Sequence, residues 1–262
     1  GRTMERFALA QALIQQAGTA LRQVRLEEEG VREKTGPKDL VTRWDRETEQ
    51  FLRREIFAAF PEDAVVGEEY PAAAGRGGAT WYLDPIDGTT NFVNQRRNYA
   101  VSIGCWLQDR PLFGLVLDVE RQVLYSARAG CGARCGDRPI QVSRRGEISQ
   151  MLLAVPGVPR AFLEPPPYRE GLARLGQEGR GVRSLGSVAL ELCALAAGEA
   201  DLFAAMQSAP WDHNAARIIL TEAGGCICRL TGEPLPLGEK SAVLAANSLQ
   251  LAQDGAARCL QG

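Results

Sequence analysis

The sequence predicts an α/β fold, with an α+β amino-terminal half and an α/β carboxy-terminal half. Three observations support this prediction. The chain opens with apolar residues at helical spacing, continues with a run of strands joined by short turns, and then alternates helix and strand patterns. Its 262 residues are enough for one large domain or for two closely packed halves.

Two amphipathic helices are predicted near the amino-terminal end. Apolar residues recur at helical spacing over residues 4–29 and again over residues 46–60. Gly36 and Pro37 break the chain between these segments, and Pro61 ends the second helix. We therefore expect two helices before the first main strand.

A predicted antiparallel meander follows these helices. Residues 64–68 and 80–83 have strand-like patterns, and three further strand-like runs follow at 99–107, 112–118 and 122–128. Short turns separate the last three runs, so neighbouring strands should pair in antiparallel order.

The carboxy-terminal half begins near a proline-rich loop at residues 157–167, which is the clearest boundary in the sequence. We accordingly expect an α+β subdomain over residues 1–150 and an α/β subdomain over residues 151–262. Within the second, helices are predicted at 187–197, 211–223 and 248–260. Strands are predicted at 201–205, 226–230 and 242–246, and this alternation favours a layered arrangement.

Composition and charge exclude several classes of partner. A formal net charge of -2 provides no basic surface for nucleic acid or for an anionic membrane. The sequence contains no apolar run of transmembrane length, and its first residues lack the apolar core of a signal peptide. The seven cysteines include no C-x-x-C motif and accompany a single histidine, which favours reduced thiols over a zinc site. We expect a cytoplasmic protein.

One short segment, WYLDPIDGTTNF, carries the strongest chemical signal. An apolar strand leads into Asp84 and Asp87, whose side chains would point to opposite faces unless the chain turns between them. We expect Pro85 to end the strand, because proline cannot donate to a strand ladder. Gly88 permits a tight backbone, and the free N–H groups of the helix start that follows would bind phosphate.

Two carboxylates beside a phosphate site repel their ligand unless a cation lies between them. Mg²⁺ fits, because it prefers oxygen ligands and commonly bridges carboxylates to phosphate. An EF-hand would need an acidic group at its third position and glutamate at its twelfth, where Ile86 and Gln95 stand. A phosphatase with a DxD nucleophile motif would need an aspartate at position 85, where Pro85 stands. An acidic capping turn without a ligand remains an alternative.

Other carboxylates could complete the same site. Glu68 and Glu69 end a predicted strand, and one of them could reach a metal ion. Asp212 precedes a long apolar helix, where it could equally be a residue favoured at a helix start. Asp45 is ambiguous in the same way.

Taken together, these motifs identify a resemblance. The segment Asp-Pro-Ile-Asp-Gly-Thr-Thr-Asn-Phe, with Gly-Glu-Glu upstream and Trp-Asp and Thr-Glu-Ala-Gly-Gly downstream, resembles the inositol monophosphatase family of Mg²⁺-dependent phosphatases. The match extends from Lys34 and the segment at residues 39–42 to Asn247. It implies a layered αβαβα sandwich of the inositol monophosphatase and fructose-1,6-bisphosphatase type. It also implies a homodimer with the site between the two halves of each chain.

The resemblance assigns a role to each candidate residue. Two or three Mg²⁺ ions would be held by four carboxylates and one backbone carbonyl, those of Glu68, Asp84, Asp87, Asp212 and Ile86. The amino-terminal subdomain thus provides most of the metal ligands, and the carboxy-terminal one completes the site.

The same resemblance implies the catalytic and substrate-binding groups. The backbone N–H groups of Gly88 and Thr89 would bind phosphate. Thr89 and Asp45 would help to deprotonate the attacking water, with Glu68 as a further catalytic group. Lys34 matches a lysine near the water molecules of the metal site. Attack by metal-activated water would be direct, without a covalent enzyme intermediate.

Five further residues bear on the substrate. Inositol-selective relatives carry a glutamate for sugar hydroxyls at the position of Ala205, which has no hydrogen-bonding side chain. Ser187 and His213 are the other candidate substrate contacts, although His213 could be only a helix-start residue. Arg96 and Arg97 lie in a segment that is either a solvated loop or a second anion contact.

We therefore expect a phosphomonoesterase acting on a small phosphorylated metabolite similar to inositol phosphate. Within the family, the alternatives are histidinol phosphate, fructose 1,6-bisphosphate, 3′-phosphoadenosine 5′-phosphate and NADP. A different class of function is that of a dimeric binding partner of the transcription machinery. We expect neither nucleic-acid nor membrane binding.

Overall fold

The computed structural model describes residues 2–25, 31–34, 40–158 and 163–260. The break predicted at Gly36 and Pro37 lies outside the described residues, as do part of the proline-rich loop and Asp39. The described helices are α1 (Arg2–Arg22), α2 (Arg43–Ala59), α3 (Thr89–Asn94), α4 (Pro166–Glu178), α5 (Val188–Ala196), α6 (Pro210–Glu222) and α7 (Leu249–Leu260), with a 3₁₀ turn at Ile148–Gln150.

A seven-stranded sheet occupies the first half of the chain. Its strands lie side by side in chain order: β3 (Ala64–Gly67), β4 (Thr80–Asp87), β5 (Ala100–Leu107), β6 (Arg110–Asp118), β7 (Val123–Arg128), β8 (Ala133–Cys135) and β9 (Arg138–Ile140). Strands β3 and β4 are parallel, and every later pair is antiparallel. The predicted meander is therefore confirmed.

The second half contains a five-stranded sheet. In spatial order its strands are β11 (Gly181–Arg183), β10 (Leu152–Ala154), β12 (Leu202–Ser208), β14 (Ser241–Ala246) and β13 (Cys226–Cys228). The pairs that β10 forms are parallel, and those that β14 forms are antiparallel. A small antiparallel pair, β1 (Val31–Glu33) and β2 (Leu40–Thr42), completes the described strands.

Three apolar cores join these elements into five layers. Helices α1 and α2 cover one face of the seven-stranded sheet, where Ile14 and Ile56 share a core with Trp81. Helices α5 and α6 lie between the two sheets. Helices α4 and α7 cover the outer face of the five-stranded sheet, where Leu175 and Leu251 are fully buried. The predicted layered αβαβα sandwich is confirmed.

Helix α6 lies unusually close to the first sheet because two strand positions are glycine. A Cβ atom at Gly114 would lie 2.2 Å from the carbonyl oxygen of Ala215, and one at Gly104 would lie 2.9 Å from the Ala215 nitrogen. Larger residues would push the helix outward. This close packing brings the start of α6, where Asp212 lies, towards the end of β4.

The prediction that Pro85 ends its strand is wrong. Strand β4 continues through Pro85 to Asp87, and its register with β5 shifts between Asp84 and Asp87. Proline is tolerated in a strand at such an irregularity, where a ladder hydrogen bond is already interrupted. The same irregularity lets the two aspartates converge without ending the strand.

Several other boundaries differ from the sequence predictions. Helix α1 ends at Arg22 rather than at residue 29, although residues 26–29 lie outside the described part of the chain. Helix α4 begins inside the predicted proline-rich loop, with proline in its first turn, where the missing N–H costs no helical hydrogen bond. Strands β8–β11 were not predicted, because three residues show no readable alternation. The division into subdomains at residue 150 stays a prediction. In the described ranges, no helix combines the length and the apolar character that crossing a bilayer requires.

A buried ion pair fixes α1 to the start of β4. Arg6 donates from Nε and Nη2 to the two carboxylate oxygens of Asp63, each at 2.7 Å. Asp63 also accepts hydrogen bonds from Trp81 Nε1 at 2.8 Å and from the Ala79 nitrogen at 2.9 Å. Burial alone would raise the pKa of Asp63, but these hydrogen bonds outweigh burial and hold the pKa below its ordinary value.

We predict that Asp63→Ala destabilises the fold by about 3–5 kcal/mol, because it leaves the Arg6 guanidinium buried and unpaired. Urea denaturation should show a lower midpoint with an unchanged slope. The matched control is Glu62→Ala, because Glu62 pairs with Arg2 and Arg6 in a more exposed setting. That control should cost at most about 1 kcal/mol. Equal losses in the two variants would contradict the prediction.

Candidate active site

Three carboxylates meet where β4 ends and α6 begins. Asp84, Asp87 and Asp212 each offer an oxygen atom that lies within 4.8 Å of the other two. Asp84 is 1% exposed and Asp87 is 6% exposed. Asp212 also accepts a hydrogen bond from the Ala209 nitrogen at 2.9 Å, so it stabilises the helix start as well. The two interpretations of Asp212 that the sequence left open are therefore compatible.

The electrostatics of this group favour a bound cation. Burial, and then the charges of Glu68, Asp87 and Asp212, raise the pKa of Asp84 well above its ordinary value. Burial and Asp87 raise the pKa of Asp212 to about 7. Asp84 Oδ1 is buried and has no hydrogen-bond partner among the described residues. A divalent cation with oxygen ligands would satisfy this atom and offset the repulsion, so the donor set fits Mg²⁺.

Glu68 lies beside this group, at the end of β3. Burial, followed by the charge of Asp212, raises the pKa of Glu68 to about 9, and Lys34 opposes the shift. Lys34 Nζ lies 3.8 Å from Glu68 Oε1 and 3.0 Å from Glu69 Oε1. Glu69 donates its backbone N–H to Glu49, whose carboxylate lies against the end of β3. Of the two adjacent glutamates, Glu68 is the one whose charge raises the pKa of Asp84 and whose own pKa is raised by Asp212.

The predicted hydroxyl–carboxylate pair is present. Thr89 Oγ1 donates to Asp45 Oδ1 at 2.8 Å and also lies 3.3 Å from the carbonyl oxygen of Ile86. Asp45 Oδ2 accepts from the backbone N–H of Thr42 at 2.9 Å, and the Asp45 N–H donates to Thr42 Oγ1 at 3.3 Å, which together form the capping box of α2. Asp45 Oδ2 also accepts from the Thr42 hydroxyl. Burial raises the pKa of Asp45 to about 6, although hydrogen bonds from Thr42 and Thr89 lower it.

Gly88 connects the carboxylates to α3. Its φ of 97° lies in the left-handed region that favours glycine. A Cβ atom there would lie 3.0 Å from the carbonyl oxygen of Asn98 and 3.3 Å from that of Gly186. The first N–H groups of α3 have no acceptor within the helix, which suits the phosphate contact predicted for Gly88 and Thr89.

The predicted substrate contacts lie in the interior. Ser187 is 1% exposed and donates from Oγ to Asp87 Oδ2 at 2.5 Å. His213 is fully buried, its Nδ1 is 2.7 Å from Ser208 Oγ, and burial lowers its pKa to about 3. Ala205 is buried in the core between the two sheets. None of the three side chains is presented to solvent in this arrangement, and their contacts with substrate stay predictions.

Arg96 has a structural environment. Its guanidinium lies 4.6 Å from the ring centre of Phe92, 3.7 Å from Glu120 and 3.1 Å from the carbonyl oxygen of Leu21. These contacts fix the connection between α3 and β5. Arg97 is exposed. Of the two arginines, only Arg97 has a side chain directed to solvent.

Sequence reasoning missed several residues that support the site. The Thr42-x-x-Asp45 spacing is a capping-box signal and could have identified Thr42. Asn91 donates to the carbonyl oxygen of Leu185, which is 94 positions away in the chain. Glu191 is 1% exposed and accepts a hydrogen bond from the Leu185 nitrogen. No local pattern in the sequence indicates these last two contacts.

Comparisons with known proteins agree with this geometry. The chain matches the model of the inositol monophosphatase family over residues 3–261. It is 37% identical over 249 residues to an inositol-1-monophosphatase from Bacillus subtilis (strain 168), and the alignment covers 91% of each chain.

Two similar solved structures are of SaIMPase-II. The form with bound inositol monophosphate has a TM-score of 0.84 at 31% identity, covering 97% of this chain and 93% of the other. The form with bound 2′-AMP has a TM-score of 0.84 at 32% identity, covering 97% and 94%. The fold and the sequence therefore lead to the same family.

We predict that the metal-free protein becomes less stable as the pH rises from about 4 towards 9. Because the folded-state pKa values of Asp84, Asp212 and Glu68 are raised, the folded chain binds more protons than the unfolded chain across this window. Below the ordinary aspartate pKa of 3.8, both states are protonated and the penalty disappears. Urea denaturation in EDTA at several pH values measures the effect.

The Asp84→Asn variant tests the origin of that pH dependence. It should be more stable than the wild type in EDTA at neutral pH and should show a flatter pH profile. It should also gain less stability from added Mg²⁺, because stabilisation by a ligand falls as its dissociation constant for the folded state rises. Asp137→Asn, at an exposed position, is the control. A steep profile retained in Asp84→Asn would contradict the assignment.

Proposed function

Because this chain belongs to the inositol monophosphatase family, we propose that it is a Mg²⁺-dependent phosphomonoesterase for small phosphorylated metabolites. Family membership supports a phosphatase. We further propose that the reaction depends on Mg²⁺ and proceeds by direct attack of water. The observation that carries the proposal is the group of three carboxylates, Asp84, Asp87 and Asp212, next to the bonded pair of Thr89 and Asp45. The group could hold a cation, and the pair could accept a proton.

We propose that the metal site comprises the three carboxylates with Glu68 and the carbonyl oxygen of Ile86, and that it holds two or three ions. Bound Mg²⁺ would lower the pKa of water, neutralise phosphate charge and stabilise the leaving alkoxide. The chain supplies the geometry, because Asp84 and Asp87 come from one strand and Asp212 from a helix of the other half.

The described residues point to proton transfer through Thr89. Its hydroxyl donates to Asp45 Oδ1, so its own oxygen is oriented to accept a hydrogen bond from an attacking water molecule. Asp45 has its other oxygen fixed by Thr42, and its Oδ1 could take up the Thr89 proton as Thr89 Oγ1 accepts one from the water. His213 is buried and bonded to Ser208, so it is not available as the base. Direct attack by water, without a covalent intermediate, is therefore the proposed mechanism.

The proposed substrate class is broad. SaIMPase-II is known with inositol monophosphate and with 2′-AMP bound, so that relative binds both a sugar-alcohol phosphate and a nucleotide. In this chain Ala205 has no polar side-chain group that could hydrogen-bond to sugar hydroxyls. Histidinol phosphate, fructose 1,6-bisphosphate, 3′-phosphoadenosine 5′-phosphate and NADP therefore stay in the proposed range. A homodimer in the cytoplasm is also a proposal, drawn from the family resemblance.

One test of the proposed function concerns metal dependence. Asp87→Asn removes a negative charge from the proposed metal site while keeping the side-chain shape. Loss of an outer-shell partner alone costs about 10–100-fold in metal affinity or activity, so loss of a ligand should cost at least that. The measurement is release of phosphate from inositol 1-phosphate as a function of Mg²⁺ concentration. Asp109→Asn, at an exposed position, should behave as the wild type does. Unchanged activity of Asp87→Asn at low Mg²⁺ would contradict the assignment of Asp87 as a metal ligand.

A second prediction separates proton transfer from phosphate binding. Thr89→Ala should lower kcat by roughly 100-fold or more, because general base catalysis contributes about 10²–10⁴-fold. Its KM should change little, because the backbone N–H groups remain. The control is Thr90→Ala, which removes the neighbouring exposed hydroxyl. If Thr89→Ala raised only KM, the hydroxyl would have to be reassigned to phosphate positioning.

A third prediction concerns substrate choice. A site that hydrogen-bonds substrate hydroxyls rejects ligands without them, because its own polar groups are left unpaired. Ala205 imposes no such penalty, so kcat/KM should be of similar size for inositol, glycerol, histidinol and nucleotide phosphates. A panel of these esters at saturating Mg²⁺ measures the ratios. Selectivity of several powers of ten for inositol 1-phosphate would show that other groups supply the recognition.

A further inference from the structure

The loop at residues 184–187, between β11 and α5, lies directly against a proposed metal ligand. Ser187 Oγ donates to Asp87 Oδ2 at 2.5 Å, and the Ala189 nitrogen donates to the same oxygen at 2.8 Å. Both donors come from the loop and the first turn of α5. One oxygen of Asp87 is therefore fixed by the second half of the chain, which leaves Oδ1 free of these two bonds.

Asn91 holds this loop from the first half of the chain. Its Nδ2 donates to the carbonyl oxygen of Leu185 at 2.6 Å and to that of Asn98 at 2.9 Å. This close approach of Asn91 to the loop requires glycine at position 186. A Cβ atom at Gly186, whose φ is 83°, would lie 2.8 Å from Asn91 Nδ2. The loop and α3 are therefore fitted to each other at backbone distance.

Glu191 holds the same loop from the side of α5. Its Oε1 accepts a hydrogen bond from the Leu185 nitrogen at 2.8 Å, and its carboxyl also interacts with the Gly186 backbone N–H. The side chain is 1% exposed, and Oε2 has no hydrogen-bond partner in the described part of the chain. Burial raises the pKa of Glu191 to about 9. The contact with the Leu185 nitrogen uses one acceptor oxygen, which a glutamine side chain would also provide.

We propose that Asn91 and Glu191 are positioning residues for Asp87, acting through the 184–187 loop that they hold from opposite sides. The proposal rests on the proposed function, because it assigns both residues to the same metal site. Neither side chain bonds to Asp87 directly. Each fixes the backbone of Leu185, and the next two residues place the Ser187 hydroxyl on the carboxylate.

The test measures Mg²⁺ binding by the full chain, by isothermal titration calorimetry without substrate. Glu191→Ala and Asn91→Ala should each weaken Mg²⁺ affinity by about tenfold or more, as expected for residues one step beyond a metal ligand. In assays, the Mg²⁺ concentration for half-maximal activity should rise in parallel, with much of kcat restored at saturating Mg²⁺. Glu191→Gln keeps the acceptor oxygen and should bind Mg²⁺ as the wild type does.

A double-mutant cycle asks whether the two residues act through one loop. A loop released by one substitution cannot be released again, so the double variant should resemble the weaker-binding single variant. Fully additive losses would mean that the residues act independently and would overturn the shared role.

The matched control is Leu192→Ala, next to Glu191 on α5. Leu192 is fully buried, so its loss should lower Tm while Mg²⁺ affinity stays at the wild-type value. A folded Glu191→Ala chain with wild-type Mg²⁺ affinity would overturn the positioning role. Binding is measured without turnover, so the two ideas fail separately. A wild-type chain that binds Mg²⁺ and hydrolyses no ester would refute the proposed function alone.

Discussion

Repulsion among buried carboxylates is the constraint on which this structure depends. Asp84, Asp87 and Asp212 are brought within 4.8 Å of one another, and the pKa of each is raised by burial. Left to themselves, such groups would move apart or into water. Favourable packing in the layers on both sides of the site must therefore offset this repulsion. A cation that binds the group recovers part of this energy as affinity.

The layered architecture explains how packing keeps the carboxylates close together. Asp84 and Asp87 lie on β4, whose apolar residues pack in one core. Asp212 lies on α6, which packs between the two sheets. Helix α6 can approach the first sheet because Gly104 and Gly114 leave room for the backbone at Ala215. Two glycines far from the carboxylates in sequence thus set the distance between the carboxylates of the two halves. This is a packing role that no chemical motif would reveal.

Sequence reasoning succeeded where the signal was local and failed where it was not. The longer helices and strands follow from periodicity, and the carboxylates follow from their motifs. Pro85 misled the prediction, because the rule that proline ends a strand does not anticipate a register shift that accommodates it. Asn91 could not be predicted, because its partner is 94 positions away and is a backbone carbonyl that every residue carries. Such contacts depend on tertiary packing and leave no residue pattern behind.

Two buried aspartates differ in how the protein satisfies them. Asp63 is 1% exposed and accepts hydrogen bonds from Arg6, from Trp81 Nε1 and from the Ala79 nitrogen, and these bonds lower its pKa. Asp84 is equally buried, keeps an oxygen without a partner among the described residues, and has a raised pKa. A carboxylate that serves only the fold is satisfied by donors of the protein itself, which offset its desolvation. The unsatisfied oxygen of Asp84 therefore supports the proposal that a cation completes its coordination.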